Sequence, residues 1–335
     1  MGRRSISAMS DPDVGVSVGT AVMLGLLRAP MLVPPTTAYL MVGGRCARDC
    51  GFCAQARSSK ADETMLSRVT WPPFPARTVI DALAAKDDIF QRVCIQSTST
   101  PDSFERTLRL VAKLKAALPL PVDASLLPPN ASAIDEAFAA GLDHLGFGLD
   151  AASEAVFAAT KGSGWAHYRS AIWLAAERYR GRAAAHLIAG LGESELEMAL
   201  AMQEHADRGI TVGLFAFCPV AGTRLGQAAQ PSLAGYRRLQ AARYLIANSL
   251  GRAVGFAYDE DGRITDFAET DVSSLISGEA FRTSGCPGCN RPFYNERPSG
   301  PLYNYPRPLT SEETALALRE AGVEALAALV QATCA

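Results

Sequence analysis

Ala38-Tyr-Leu-Met-Val42-Gly-Gly-Arg-Cys46-Ala-Arg-Asp-Cys50-Gly-Phe-Cys53 places three cysteines on one loop directly after a short apolar run. A run this short, bounded by turn residues, reads as a buried strand. The loop after that strand separates two parallel-sheet architectures. An open doubly wound sheet wants a glycine-rich phosphate turn after its first strand. Here that turn is filled with cysteines, which favours a barrel, where chemistry sits on the loops at the strand C-terminal ends.

The rest of the chain repeats the strand–helix theme. Further strands are expected at Arg92–Thr98, Val122–Leu126, His144–Leu149, Ala184–Ala189, Val212–Phe217 and Ala253–Tyr258, with a last one at Ile264–Phe267. Between them, apolar residues recur at three- and four-residue spacing over Arg77–Ala85, Phe104–Ala117, Ser132–Ala140, Tyr168–Tyr179, Glu193–Arg208 and Leu233–Ser249. Gly141 and Gly209 each come just after such a pattern, where a left-handed helix cap is expected. Alternating strands and helices imply a parallel sheet. The expectation is an α/β fold, a (β/α)8 TIM-type barrel complete or nearly so, over residues 36–275. The usual size of that fold, about 250 residues, fits this span.

Two flanking regions remain. Residues 1–35 are expected to form an N-terminal extension ending in a docked helix. Met1-Gly2-Arg3-Arg4 and the apolar stretch Val14–Leu27 faintly resemble a signal peptide, but Asp11, Asp13 and three glycines interrupt them and no cleavage pattern is present. The stretch is too short for a membrane span. Residues 276–335 have a different texture. Pro287, Pro292, Pro298, Pro301, Pro306 and Pro308 mark a long irregular segment with two cysteines and several aromatic residues, ahead of a final helix at Glu312–Val330. Such a loop reads as ordered and functional.

Composition narrows the function classes. The 335 residues are 48% hydrophobic and 20% charged, with a net charge of −2 and no block of like charge. That argues against a nucleic-acid surface or a membrane partner. Eight cysteines in this length are too sparse for a disulfide scaffold; their close pairs point to metal and to a reducing, cytoplasmic setting.

In Cys46-x3-Cys50-x2-Cys53 three thiolates on one loop can each take one iron of a cubane. A [4Fe–4S] cluster normally has four cysteine ligands, so three leave one iron open to a substrate. The alternative, structural zinc, wants a fourth ligand and a second cysteine or histidine pair nearby. This spacing, with Phe52 before the last cysteine, resembles the radical S-adenosylmethionine superfamily. The resemblance implies S-adenosylmethionine chelated by the open iron, and its reductive cleavage to methionine and a 5′-deoxyadenosyl radical.

Over residues 36–310 the chain is similar to biotin synthase and its relatives. Gly190, Gly192 and Glu193 in Ala189-Gly-Leu-Gly-Glu193 match the family turn near the methionine end of the nucleotide. Arg169 falls where the family has an arginine on the S-adenosylmethionine carboxylate, and Asp150 where it has an aspartate on the ribose. Pro219-Val-Ala-Gly-Thr223 matches a further turn. Each has a plainer reading: Arg169 as a surface helix residue, Asp150 as the N-cap of a helix over Ala151–Ala159, the glycines as turn formers. In the same family a second cluster is held inside the barrel by three cysteines and an arginine. Only Cys94 is matched here; the other strand positions hold Asp123–Ser125 and Ala184.

The replacement is sought in Arg282-Thr-Ser-Gly-Cys286-Pro-Gly-Cys289. Folded over the barrel mouth, Cys286 and Cys289 meet Cys94 and hold an auxiliary iron–sulfur cluster. Ser284, which faintly resembles the capping serine of classical lipoyl synthase, and Cys218 are further candidate ligands. The alternatives are a zinc knuckle for Cys286 and Cys289, a buried small hydrophobe for Cys94, and a packed thiol for Cys218. Cys334 reads as incidental.

A second cluster facing the first implies a sulfur source, as in biotin and lipoyl synthases. The expected activity is lipoyl-synthase-like sulfur insertion into an octanoyl-type chain, on the strength of Arg282–Cys286. The alternative is a biotin synthase acting on dethiobiotin. The resemblance further implies a ferredoxin or flavodoxin reductant, and, for the lipoyl reading, a lipoyl carrier protein and a second radical synthase. Two rivals complete the set: a radical mutase or lyase with structural Cys286 and Cys289, and an iron–sulfur carrier without radical turnover.

Overall fold

The computed structural model describes residues 13–268 and 270–332. Its first half runs β1 (Asp13–Val16), α1 (Val18–Leu24), β2 (Thr37–Val42), β3 (Met65–Leu66), β4 (Val69–Thr70), β5 (Pro73–Pro75), α2 (Ala76–Ala84), β6 (Arg92–Ser97), α3 (Ser103–Ala117), β7 (Val122–Ser125) and α4 (Ala131–Ala139). The second half runs β8 (His144–Asp150), α5 (Glu154–Lys161), α6 (Trp165–Arg178), β9 (Ala183–Ala189), α7 (Glu195–Ala206), β10 (Thr211–Ala216), α8 (Leu233–Ala247), β11 (Ala257–Tyr258), β12 (Ile264–Asp266), α9 (Ser311–Glu320) and α10 (Glu324–Ala332).

The main sheet has eight strands in the order β10-β9-β8-β7-β6-β2-β1-β5. From β2 to β10 every pairing is parallel, as the strand–helix alternation predicts. The TIM-type α/β expectation therefore holds for these strands, and the Cys46–Cys53 loop does leave the C-terminal end of the first of them. Side chains alternate across each strand. Leu40, Val93, Ile95, Ala124, Leu145, Phe147, Leu187 and Leu214 face outward into one continuous core with the helices. Adjacent registered residues share a face, so Tyr39, Cys94 and Asp123 stand side by side on the inner face. Higher on that face lie Gly148, His186 and Gly213. Glycine beside His186 on both sides leaves the interior hollow.

The strand expectations for the last two units are corrected. β11 and β12 form a separate antiparallel ribbon and do not join the main sheet. The reason lies in the connection Asp259–Arg263. Asp259 Oδ1 accepts from Asp261 N (3.1 Å) and Arg263 N (2.8 Å), and Gly262 has φ 72°. A tight turn of this kind returns the chain antiparallel, whereas a parallel neighbour needs a crossover of a dozen or more residues. The sheet is extended on its other side instead. β1, inside the stretch expected to be helical, pairs antiparallel with both β2 and β5. Only Val18–Leu24 of that stretch is helix, stopped by Gly25 at φ 78°. The final helix is likewise two helices, divided at Gly322 with φ 79°. Cys334 and Met1–Arg4 lie outside the described residues.

The Pro-rich segment is ordered by the strand it covers. The edge of β10 offers backbone groups with no strand partner beyond them, and a buried unpaired amide is costly. Ser284 Oγ accepts from Leu214 N at 2.9 Å, Tyr236 donates to Leu214 O at 3.2 Å, and Asn295 Nδ2 donates to Ala216 O at 2.7 Å. At its other side the segment reaches the start of β2: Asn290 Oδ1 accepts from Thr36 N at 3.0 Å, and Arg291 N donates to the Tyr39 hydroxyl at 3.1 Å. Residues 282–295 thus bridge the first and last parallel strands. Ser284→Ala strips Leu214 N of its buried acceptor and is expected to cost about 1–3 kcal/mol. Urea unfolding checks this; a loss below about 0.5 kcal/mol would show that the serine does not hold the segment.

Candidate active site

Two cavities meet at the C-terminal ends of the parallel strands. The first is lined by Cys46, Cys50 and Cys53 together with Arg48, Gln96, Asp150, Lys161 and Tyr168. The second, about 190 Å³, is lined by Cys94, Cys286 and Cys289 together with Tyr39, His186, Phe215, Cys218, Arg291 and Tyr294. Phe52, Cys53, Leu66, Gln96 and Asp150 line both, so the two cysteine trios look toward one another across a shared wall.

The first trio sits on a loop pinned from several sides. Cys46 N donates to Gln55 O at 2.8 Å, Gly51 N to Thr160 O at 2.7 Å, and Leu225 N to Gly51 O at 2.7 Å. A side chain at Gly51 would run into the Arg224 guanidinium at 2.8 Å, which explains the glycine between Cys50 and Phe52. Arg48 N and Ser99 N point at Cys46 Sγ at 3.4 and 3.3 Å. Those amides are donors that a metal-bound sulfur can accept from. Burial pushes the Cys53 thiol up to about 12 and raises Cys50 as well. Without metal those two keep their protons; a bound cation must displace them. Among the described residues no three histidine, cysteine or carboxylate side chains close on a single metal ion.

Asp150 is placed at the shared wall by an uncommon backbone. It ends β8 with φ 68°, and its carboxylate meets Lys161 Nζ at 2.7 Å. The next helix starts at Glu154 with Ser153 as N-cap, so Asp150 is free of the capping role. Lys161 is buried, donates to the Gly148 and Leu149 carbonyls, and lies 4.5 Å from the centre of the Tyr168 ring. Burial is the strongest influence and opposes its charge, but Asp150 together with Tyr168 and Cys50 outweighs it and the pKa is raised. Lys161 and Arg48 were not legible as site cations in the sequence. Arg48 is only two residues from Cys46; Lys161 needed the knowledge that α5 begins late.

Arg169 is not brought to either cavity. It pairs with Glu204 on α7 and lies 4.1 Å from the centre of the Trp173 ring, also within 5.5 Å of Trp165. Gly190 and Gly192, at φ 97° and 120°, form the turn after β9, and Glu193 closes it by accepting from Gly190 N (2.6 Å) and Leu191 N (3.0 Å). Its carboxylate is taken up by the turn. The Ser284 hydroxyl is likewise held by the backbone of β10 and is not free to be a ligand. Cys218 lines the second cavity with Arg68 Nη1 3.6 Å from its sulfur.

In the second cavity the Cys286–Cys289 turn closes through Cys289 N to Cys286 O at 3.1 Å, with Gly288 at φ 74°. Tyr39 Oη lies 3.1 Å from Cys289 Sγ, and Gln96 Nε2 lies 3.1 Å from Cys94 Sγ. Burial pushes Cys286 up to about 12 and Cys94 well above its usual range, with Cys286, Asp123 and Cys289 adding to the effect on Cys94. Beneath them Arg92 and His144 both engage the buried Asp123. Arg291 stacks 4.0 Å over Phe215 and donates to Ser284 O at 2.7 Å.

No protein-family profile matches the chain. It is 29% identical over 260 residues to the biotin synthase of Desulforudis audaxviator (strain MP104C), spanning 72% of this chain and 74% of that protein. Among solved structures it is similar to methylornithine synthase PylB, with TM-score 0.52, 15% identity, and 63% of this chain on 62% of that one. It is also similar to the FeFe-hydrogenase maturase HydG from Carboxydothermus hydrogenoformans, with TM-score 0.51, 14% identity, and 64% of this chain on 51% of that one. The sequence likeness and the shared fold both support the resemblance to the radical S-adenosylmethionine superfamily. The two structures share its fold and are covered over less than two thirds of their own length. No helix among the described residues is long and apolar enough to cross a membrane.

His186 adds a residue that no motif announced. It faces the second cavity, its ring 5.3 Å from that of Phe215. Burial first, then the Arg291 charge, lowers its pKa from 6.5 to about 4. A depressed histidine stays neutral in the fold while the unfolded chain takes up a proton below about 6.5. Stability therefore declines as pH falls from about 6.5 to about 4, by up to about 3 kcal/mol, and levels off below. His186→Gln should flatten that decline in chemical unfolding followed against pH; an unchanged profile would place the titration elsewhere.

Proposed function

We propose that this chain is a radical S-adenosylmethionine enzyme of the sulfur-inserting type, with biotin-synthase-like chemistry the favoured reading. The observation that carries it is the pair of cysteine-lined cavities sharing Phe52, Cys53, Leu66, Gln96 and Asp150. The similarity to a biotin synthase over 72% of the chain supports that branch. It outweighs Arg282–Cys286, the stretch that favours lipoyl chemistry, because Ser284 within it is engaged with β10.

When bound, a [4Fe–4S] cluster with S-adenosylmethionine supplies a 5′-deoxyadenosyl radical, and an auxiliary cluster supplies sulfide. Cys46, Cys50 and Cys53 would hold the first, and Cys94, Cys286 and Cys289 the second. The amides on Cys46 Sγ fit the first assignment, and the contacts of Tyr39 and Gln96 to the other sulfurs fit the second. Asp150, held by Lys161, presents a carboxylate that suits the ribose hydroxyls. Arg48 and Lys161 replace Arg169 as the cations of the first cavity. The barrel walls exclude water around both groups.

The role assigned to the chain brings partners with it. A ferredoxin or flavodoxin would deliver the electron. A lipoyl carrier protein and a second synthase belong only to the alternative, lipoyl reading. The other rival, an iron–sulfur carrier, forms no 5′-deoxyadenosine from S-adenosylmethionine under reduction.

Anaerobic reconstitution with iron and sulfide counting, read beside 5′-deoxyadenosine formation, tests the two-cluster arrangement and the carrier rival. The wild type should bind iron beyond one cubane, and Cys286→Ala should lose the excess while keeping 5′-deoxyadenosine formation. Cys50→Ala should lose that formation altogether. An iron content of one cubane, unchanged in Cys286→Ala, overturns the two-cluster arrangement.

A further inference from the structure

The second cavity does not end at its own walls. Tyr39 and Tyr294 also line an outer cavity of about 300 Å³, whose other walls come from α1 and the stretch Pro30–Pro35. Its lining is largely apolar: Val18, Val22, Met31, Leu32, Val33 and Phe293. Leu32 is 71% exposed, so the apolar surface continues to solvent.

One cation stands where the two cavities meet. Arg68 lines the outer cavity, while its Nη1 lies 3.6 Å from Cys218 Sγ, which lines the inner one. It sits at the tip of the β3–β4 hairpin, beside Ser67, whose φ is 53° and whose hydroxyl donates to Tyr294 O at 2.7 Å. That bond and the backbone turn fix the tip over the cavity. Two other arginines near the second cavity are engaged: Arg92 with Asp123, Arg291 with Ser284 O. Arg68 has no carboxylate partner among the described ion pairs; beyond its contact with the Cys218 sulfur, its half-buried guanidinium keeps donors that suit an anion beside apolar walls.

Its surroundings are compatible with one. Glu296 lines the same outer cavity, but its carboxylate turns to Tyr303 N (3.3 Å) and Asn304 N (3.4 Å), and burial raises its pKa to about 7. Near neutral pH it therefore carries only part of a charge. Arg297, which is exposed, adds a second positive group close to Cys218.

Resting on the sulfur-insertion reading, we infer that Arg68 binds the free carboxylate of a substrate whose apolar chain enters through the outer cavity and passes Tyr39 and Tyr294 to the cysteine trio. The substrate class is then an amphipathic free acid. A carrier-linked acyl amide, which has no charge at that end, gives the guanidinium no anion and is disfavoured by the same geometry. Arg68 is a specificity residue and touches none of the reacting atoms.

The test is equilibrium binding to the reconstituted protein under anaerobic conditions, with two matched pairs of probes: dethiobiotin against its methyl ester, and octanoic acid against octanamide. The acid of at least one pair should bind ~10- to 100-fold more tightly than its neutral partner. Arg68→Met should abolish the preference without weakening the neutral probe, and Arg68→Lys should retain part of it. Raising salt from about 50 to about 300 mM should weaken the acid alone, a comparison that needs no variant. Equal binding of acid and neutral probe, absence of binding by all four, or a preference that survives in Arg68→Met each overturns the inference. Formation of 5′-deoxyadenosine without substrate is measured in parallel; its absence beside an intact acid preference would sink the radical reading and leave the carboxylate site standing.

Discussion

The exposed edge of β10 is the constraint on which the rest of the molecule turns. A parallel array running from β2 to β10 leaves backbone groups at its last strand without a neighbour, and the interior cannot be sealed until they are met. Ser284, Tyr236 and Asn295 meet them with side chains and not with a further strand. This choice leaves the covering segment irregular, and irregular backbone can carry a Cys-Pro-Gly-Cys turn where a strand could not. The hydrogen bonds that finish the sheet are therefore the ones that deliver Cys286 and Cys289 to Cys94.

The two faces of the parallel strands divide the labour. Outward residues are almost uniformly aliphatic and join the helices in one core. Inward residues are sulfur-bearing, polar, aromatic or absent, as at Gly148 and Gly213. Two of the buried cations inside are answered by carboxylates: Lys161 by Asp150, and Arg92 by Asp123. Pairing of this kind keeps the buried groups from costing the fold heavily. His186 is neutral and needs no such answer.

Much of this could be read from the chain. Strands from β2 to β10 are dense apolar runs with short connections, and the cysteine loop comes directly after the first of them; local pattern suffices for both. The trio of Cys94, Cys286 and Cys289 was legible as a juxtaposition because a familiar ligand set had lost members while a new pair stood in an unexplained segment. The failures share one cause: periodicity reports that a face exists and not what it meets. Arg169 lies on a helix whose cationic face turns to Glu204 and two tryptophans. Val14–Leu27 is apolar enough for helix or strand, and only pairing with β2 and β5 decides that its first residues are extended. Arg68 and His186 carry no motif at all, and their place depends on tertiary contacts between distant segments.

The bridging of Thr36 and Tyr39 to Asn290 and Arg291 joins positions some 250 residues apart in the chain. Synthesis proceeds from the N-terminus, so β2 and β6 exist long before residues 282–295 do. During that interval Cys94 faces an open interior with neither of its companions present. Any group that needs Cys94, Cys286 and Cys289 together could therefore be taken up only after the chain is nearly finished. The first trio, by contrast, needs only the chain as far as Leu225, whose amide clamps Gly51. Assembly of such a protein has an inherent order, in which the Cys46–Cys53 loop can be in place before the second trio is brought together.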